Sequence, residues 1–91
     1  MTEPERRQIL FYEYVGDILE RREPFRADHL SAICAAKEEG RILLAGPLGD
    51  PPHGAAIVFG DRAAAEAFAQ ADPYVTGGLV TNWRVEPWTL V

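Results

Sequence analysis

The pattern of apolar and polar positions along the chain predicts four strands and two helices. Runs rich in β-branched and aromatic residues are typical of strands, whereas apolar residues at every third or fourth position indicate amphipathic helices. In chain order, strands are predicted over residues 8–15, 41–48, 55–59 and 79–88, and helices over residues 25–39 and 62–71. Gly40 follows the first helix as its expected left-handed terminal residue. The order β-α-β-β-α-β predicts an α+β, ferredoxin-like fold with a four-stranded antiparallel sheet and both helices on one face.

The opposite face of this sheet is predicted to be apolar as well. Residues 42–45 and 55–59 are apolar at every position, and the first strand adds Leu10, Tyr12 and Tyr14. An antiparallel sheet with one face in water normally alternates apolar with polar side chains. A large apolar surface of this kind indicates a partner. We therefore expect a homodimer that forms through the sheet faces.

Length and charge limit the classes of function. A chain of 91 residues is expected to form a single domain, residues 1–91, and its net charge of −5 disfavours binding to nucleic acid. No stretch approaches the ~18 apolar residues of a membrane span, and no secretory signal is expected, which predicts a cytoplasmic protein with no membrane partner. The single cysteine, Cys34, is predicted to be a small buried hydrophobic residue.

The apolar face of the first helix carries two residues that packing alone does not explain. On a 3.6-residue period, Arg26 and His29 fall on the same side as Phe25 and Ile33. A lone histidine is more often a surface or core-edge residue than a catalyst. However, an inward arginine keeps its charge and needs an anion, which Asp72 or a ligand carboxylate or enolate can supply. A neutral histidine beside a carboxylate is a base with a fixed tautomer.

The segment Asp72–Tyr74 has two interpretations. Aspartate is a favoured helix N-cap and proline a favoured first helical residue, so the segment can simply end one helix and begin another turn. Alternatively, Asp72 is the carboxylate that partners His29. The sequence pattern alone leaves both interpretations open.

Sequence motifs for metals and cofactors are missing. Two histidines and one cysteine, none at ligand spacing, disfavour a structural zinc site. The segment Gly46-Pro47-Leu48-Gly49 lacks the lysine and the serine or threonine of a phosphate-binding loop. We therefore expect a protein that uses neither a metal nor a cofactor.

Four segments together resemble the YciI-like (YCII-related) family. They are Arg26-x-x-His29-Leu30, Glu39-Gly40-Arg41-Ile42-Leu43-Leu44-Ala45-Gly46-Pro47, Ala71-Asp72-Pro73-Tyr74 and Trp83-x-Val85-x-Pro87-Trp88. The resemblance covers nearly the whole chain and rests on order and spacing rather than on any single motif. It implies a dimeric α+β barrel, in which two ferredoxin-like sheets pack face to face, and an active-site His–Asp pair that maps onto His29 and Asp72. The family is similar to muconolactone isomerases, and one kind of member is a dehydrochlorinase of chlorinated hydroxyquinols.

The main hypothesis is a small cofactor-independent enzyme of the lyase or isomerase type that transfers a proton on a small aromatic or enolic acid. His29 is expected to be the general acid/base, Asp72 its orienting partner and Arg26 the cation that holds substrate charge. The remaining site residues are expected to line the pocket: Tyr14, Pro47 and Tyr74. Two alternatives stay open. They are a non-catalytic module of the same fold that binds small molecules or partners, and a monooxygenase of the dimeric α+β barrel type.

Overall fold

The computed structural model describes residues 4–91, which build one four-stranded antiparallel sheet and four helices. The strands are β1 (Arg6–Tyr14), β2 (Ile42–Leu48), β3 (Gly54–Phe59) and β4 (Val80–Thr89). The helices are α1 (Ile18–Arg21), α2 (Glu23–Glu38), α3 (Arg62–Ala71) and α4 (Pro73–Thr76), and none of these is long and apolar enough to cross a membrane. The strand order is β2-β3-β1-β4, with every neighbouring pair antiparallel. The predicted ferredoxin-like α+β fold is thus confirmed.

The helix ends follow local sequence signals. Pro24 lies in the first turn of α2, where its missing N–H breaks no helical hydrogen bond, so α2 begins two residues earlier than predicted. Gly40 follows α2 with a φ of 78°, in the left-handed region as predicted. The segment after α3, expected only as a turn, forms the short helix α4, with Asp72 as its N-cap. The chain therefore begins a further helix, α4, directly after α3 ends.

The face of the sheet that carries the helices holds the core. Leu10 and Tyr12 of β1 are 0% and 2% exposed, and Ile57, the β3 partner of Leu10, is equally buried. From α3, the Phe68 ring packs 5.6 Å from that of Phe59 at the end of β3. Each large apolar side chain buried in this way contributes about 1.5–3 kcal/mol. The two central strands, β1 and β3, are therefore a rigid base for side chains that point toward the helices.

The other face of the sheet is open within residues 4–91. Ile9 and Phe11 of β1 lie on it together with Val58 of β3, and they border a shallow groove. At the edges of this face, Leu44 is 64% exposed and Trp88 is 44% exposed. The apolar surface that the sequence predicted is thus present.

One prediction about this open face is wrong. The sequence analysis assigned Leu10, Tyr12 and Tyr14 to it, but the alternation of β1 turns these even-numbered residues toward the helices. Ile9 and Phe11 take the open face instead. Because side chains alternate along a strand, burying Leu10 in the core also turns Tyr12 and Tyr14 toward the helices.

Cys34 is exposed, which corrects the prediction that it is a buried hydrophobic residue. The buried positions of α2 are His29 and Ala36. At about 100° per residue, Cys34 lies about 140° around the helix from His29, outside the buried stripe. Alanine-rich helix sequence gives little contrast between faces, so the position of a single small residue was misjudged.

Candidate functional site

The first element of the site is the N-cap of α4. Asp72 leaves α3 with extended backbone angles (φ −64°, ψ 127°), and its side chain accepts a hydrogen bond from the Tyr74 N–H at 3.1 Å. Pro73 occupies the first helical position, where its fixed φ suits a helix start. The capping interpretation of Asp72 is therefore correct as local structure.

The same carboxylate also accepts two hydrogen bonds from distant parts of the chain. His29 Nδ1 lies 2.8 Å from Asp72 Oδ1 and 3.0 Å from Oδ2, and the Tyr12 hydroxyl donates to Oδ2 at 2.7 Å. Asp72 is only 1% exposed. A buried carboxylate is tolerated where donors surround it, and here α2, β1 and α4 each supply one. Asp72 is thus both a cap and the point at which three elements converge.

The imidazole of His29 is held on its edge and on its face. It is 5% exposed, and its ring stacks on that of Tyr74 with centroids 3.7 Å apart and an interplanar angle of 6°. Because the Asp72 carboxylate can only accept, Nδ1 carries the proton in the neutral ring. Nε2, which keeps its lone pair, is then the ring nitrogen that remains available to a ligand.

Three tyrosines form a connected group around this histidine. Tyr14 meets Tyr74 edge-on at 6.1 Å and lies 6.5 Å from Tyr12. Burial, followed by the charge of Asp72 and its hydrogen bond, raises the pKa of Tyr12 far above the usual 10.0. Burial also raises the pKa of Tyr14 to about 12, and it raises the pKa of Tyr74 against the opposing charge of Arg26. All three hydroxyls therefore stay protonated at neutral pH and can donate hydrogen bonds.

A cavity of about 200 Å³ opens beside His29 between α2 and the sheet. Its polar wall consists of side chains from β1, the α1–α2 region and α4: Tyr14, Arg22, Arg26, His29 and Tyr74. Its apolar wall includes Ile33 of α2, Ala45 and Pro47 of β2, and Ile57 of β3. A concave, mainly apolar space with a few convergent polar groups is the usual form of a small-molecule site.

The charge of this cavity differs from that of the whole chain. Arg22 and Arg26 line it, both half-buried, and neither forms an ion pair within residues 4–91. Among residues 4–91, no aspartate or glutamate lines the cavity, although the chain has a net charge of −5. The cavity is therefore a cationic space in an acidic protein, which favours an anionic ligand.

The structure brings the six residues singled out from the sequence to one place. Five of them line the cavity: Tyr14, Arg26, His29, Pro47 and Tyr74. Asp72 stands behind His29 and holds it from the side away from the cavity. Whether these residues bind a substrate and act on it stays a prediction.

Two residues of this site were missed by the sequence analysis. Tyr12 shares a strand face with Tyr14 at a spacing of two, and that alternation was a signal that could have pointed to it. Arg22 lies four residues before Arg26, the spacing of neighbours on one helix face. The signal was lost because the helix was predicted to begin at Phe25, beyond Arg22.

Metal binding finds no support in the described part of the chain. Within residues 4–91, no group of three or more His, Cys, Asp or Glu side chains lies close enough together to hold an ion. His29 and Asp72 are committed to each other. The polar side chains that line the cavity are one imidazole, two guanidiniums and two phenols, from His29, Arg22, Arg26, Tyr14 and Tyr74.

Comparison with known proteins places the chain in a family. The sequence profile of the YCII-related domain matches residues 7–89. The chain belongs to the YCII-related family. Protein YciI from Escherichia coli O6:H1 is 33% identical to this YCII-related chain, over 91% of this chain and 96% of that relative. The relative of the same name from Shigella flexneri matches equally well.

Solved structures share the fold of this YCII-related chain at lower identity. One is 5-chloro-2-hydroxyhydroquinone dehydrochlorinase from Burkholderia phenoliruptrix AC1100 in complex with 2,5-dihydroxybenzoquinone. It has a TM-score of 0.73 and 21% identity, over 90% of this chain and 92% of that one. A candidate antibiotic biosynthesis monooxygenase from Nitrosomonas europaea has a TM-score of 0.52 and 16% identity, over 98% and 93% of the two chains. These likenesses establish a common fold for proteins of different activities.

Proposed function

We propose that this YCII-related chain is a cofactor-independent enzyme that moves a proton on a small aromatic or enolic acid. The observation that carries the proposal is the 2.8 Å contact between His29 Nδ1 and Asp72 Oδ1 at the wall of a cationic cavity. A buried imidazole fixed by a carboxylate on one nitrogen leaves the other nitrogen as a base of defined direction.

His29 is the general acid/base of this proposal. Its Nε2 takes a proton from the substrate, and the positive charge that develops on the ring is stabilised by the buried Asp72 carboxylate. The stacked Tyr74 ring covers one face of the imidazole and favours that cation further. Tyr12 and the Tyr74 N–H also donate hydrogen bonds to this carboxylate.

Arg26 is the group that holds negative charge on the substrate. Removing a proton from an enol or phenol leaves an anionic oxygen, and a guanidinium already in place stabilises that anion in the transition state. Tyr14 presents a hydroxyl that stays protonated at neutral pH, which gives a second donor for such an oxygen. Pro47 closes the opposite, apolar side of the cavity.

Two reaction types are compatible with this arrangement. In an isomerisation, His29 Nε2 takes a proton from one substrate atom and returns it to another. In a dehydrochlorination of a chlorinated hydroxyhydroquinone, the ring first ketonises: one hydroxyl loses its proton and the carbon that bears chlorine gains one. The base then takes a proton from a second hydroxyl, the C–Cl bond breaks with both electrons on chloride, and a hydroxyquinone remains. The likeness to a dehydrochlorinase of known structure makes the second reaction the first to assay.

The test is a turnover assay with matched carboxylate variants. Chloride release and quinone absorbance from 5-chloro-2-hydroxyhydroquinone are measured for the parent, His29→Gln, Asp72→Asn and Asp61→Asn. Asp61 is the control because it caps α3 in the same way, accepting from Ala63 N at 3.0 Å, but lies outside the cavity. Asparagine is also a good N-cap, so both aspartate variants keep their helices and only Asp72→Asn changes the site.

We expect turnover to fall about 10²–10⁴-fold in His29→Gln, the usual contribution of a general acid/base. Asp72→Asn should also lose activity, whereas Asp61→Asn should keep it. Activity retained in His29→Gln would disprove the proposal. Ligand binding without turnover in the parent would favour the non-catalytic module, and oxygen consumption with a quinol substrate would favour a monooxygenase.

A further inference from the structure

The α1–α2 junction brings a second arginine to the cavity. Arg22 follows α1 directly and is at the same time the N-cap position of α2, while Arg26 lies in the first turns of α2. Residues four apart share a helix side, and both guanidiniums border the same cavity. The proposed function uses only Arg26. Arg22 is thus a charged group at the site without a role.

No carboxylate in the described part of the chain neutralises these two guanidiniums. Arg21, beside them in the chain, pairs with Asp17 at 3.6 Å, but Arg22 and Arg26 form no such pair within residues 4–91. The buried acid nearest the cavity, Asp72, already accepts from His29, Tyr12 and the backbone of α4. Two cations that stay charged and half-buried are stabilised when a ligand brings matching negative charge.

Both guanidiniums act on the groups around the cavity. Their positive charge opposes the burial that raises the pKa of Tyr14 and Tyr74, which places both arginines within electrostatic range of the two phenols. A second anionic oxygen near these hydroxyls would therefore meet a cation and hydrogen-bond donors together.

The size of the cavity limits what can carry two charges there. A volume of about 200 Å³ is small beside the roughly 300–1,000 Å³ of most ligand pockets. A molecule with one six-membered ring and a few oxygens suits a cavity of this size better than a nucleotide does. The stacked His29 and Tyr74 rings and the aliphatic Ile33 and Ile57 suit a flat ligand.

We propose that the ligand of this cavity is a single-ring dianion, and that Arg22 and Arg26 each bind one of its two acidic oxygens. Arg22 thereby determines specificity for the second charge. The inference depends on the proposed function only in taking the same cavity as the substrate site.

The experiment compares two ligands with the same ring and different charge. 2,5-Dihydroxy-1,4-benzoquinone has two acidic vinylogous hydroxyls, and its mono-O-methyl ether has one. Affinity for each is measured by calorimetry near neutral pH. All proteins carry Cys34→Ser, because the exposed thiol could add to a quinone. The variants are Arg22→Gln, Arg22→Lys and, as the control, Arg21→Gln.

The parent should bind the dianion at least tenfold more tightly than the ether. Arg22→Gln should lower affinity for the dianion by about 10- to 100-fold, the usual effect of a hydrogen bond to a charged group, and change affinity for the ether less than threefold. Arg22→Lys should recover part of the loss, since it keeps the charge without the planar fork. Arg21→Gln should behave as the parent.

Three results would overturn the inference: equal affinity of the parent for both ligands, no binding of either at millimolar concentration, or unchanged dianion affinity in Arg22→Gln. Its failure is distinct from failure of the proposed function. His29→Gln, which should be inactive, should still prefer the dianion. A parent protein that prefers the dianion but turns nothing over would disprove the enzyme and keep this inference.

Discussion

Tyr12→Phe removes one hydroxyl from the buried centre of the site and leaves the ring in place. That hydroxyl donates to Asp72 Oδ2 at 2.7 Å, and the two side chains are 2% and 1% exposed. A hydrogen bond to a charged, buried acceptor contributes about 1.5–3 kcal/mol. The substitution should therefore lower the free energy of unfolding by that amount, with little change in packing.

The assay is chemical and thermal unfolding of the parent and the variant at one fixed protein concentration, since any self-association makes apparent stability concentration-dependent. In a domain of this length, each kcal/mol shifts the melting temperature by about 4–8 °C. Tyr14→Phe is the matched control, because Tyr14 lies on the same strand and no hydrogen bond contributes to its pKa. It should cost well under 1 kcal/mol.

The charge of Asp72 is tested by repeating Tyr12→Phe in an Asp72→Asn background. A neutral acceptor makes hydrogen bonds of about half the strength, so the cost of Tyr12→Phe should fall about twofold. Equal costs in both backgrounds, or a cost no greater than that of Tyr14→Phe, would refute the argument that Tyr12 stabilises a buried carboxylate.

Three further predictions concern the tyrosines, the open sheet face and the cysteine. All three tyrosines have a pKa above the usual 10.0, and that of Tyr14 is about 12, so tyrosinate absorbance should not rise near pH 10 while the fold persists. Because the raised tyrosine pKa values favour the protonated form in the folded protein, their contribution to folding stability is complete below pH 10. That contribution is lost as the pH rises through the pKa values of the folded state. Tyrosine ionisation at the usual pKa of 10.0 in the native protein would contradict this. We expect the chain to be a homodimer that buries the open face, and Leu44→Glu should dissociate it whereas Leu19→Glu, at an exposed position of α1, should not; a monomeric parent by sedimentation at micromolar concentration would exclude the dimer. Cys34 should react rapidly with a disulfide reagent in the folded protein without loss of ligand binding, and slow labelling would mean that something covers it.

Much of the fold could be predicted because strands and helices have different apolar periods. The continuous apolar runs that became β2 and β3 and the glycine after α2 each had one simple interpretation. The direction of β1 was harder, because both of its faces carry large apolar or aromatic side chains. Which face of β1 belongs to the core is determined only by tertiary packing, in which Leu10 is buried.

The candidate site was predictable where a polar residue stood on an apolar face, as Arg26 and His29 do. Its remaining parts depend on contacts between distant segments. Tyr12 and Asp72 are 60 positions apart, and no local pattern states that they meet. Arg22 required knowing that α2 begins at Glu23 and that Pro24 lies in its first turn. Helix ends are the least predictable part of a helix, so a residue at a junction is easily missed.

The two interpretations of Asp72, cap or catalytic partner, turn out to be compatible, and their combination explains the geometry of His29. A four-residue helix has no stability of its own, so α4 depends on its cap and on its contacts. The carboxylate that caps α4 fixes where Tyr74 lies, and Tyr74 covers one face of the imidazole. The same carboxylate binds Nδ1 and so fixes the edge of that ring. One buried acid therefore sets both the plane and the rotation of the His29 ring, which borders the cavity.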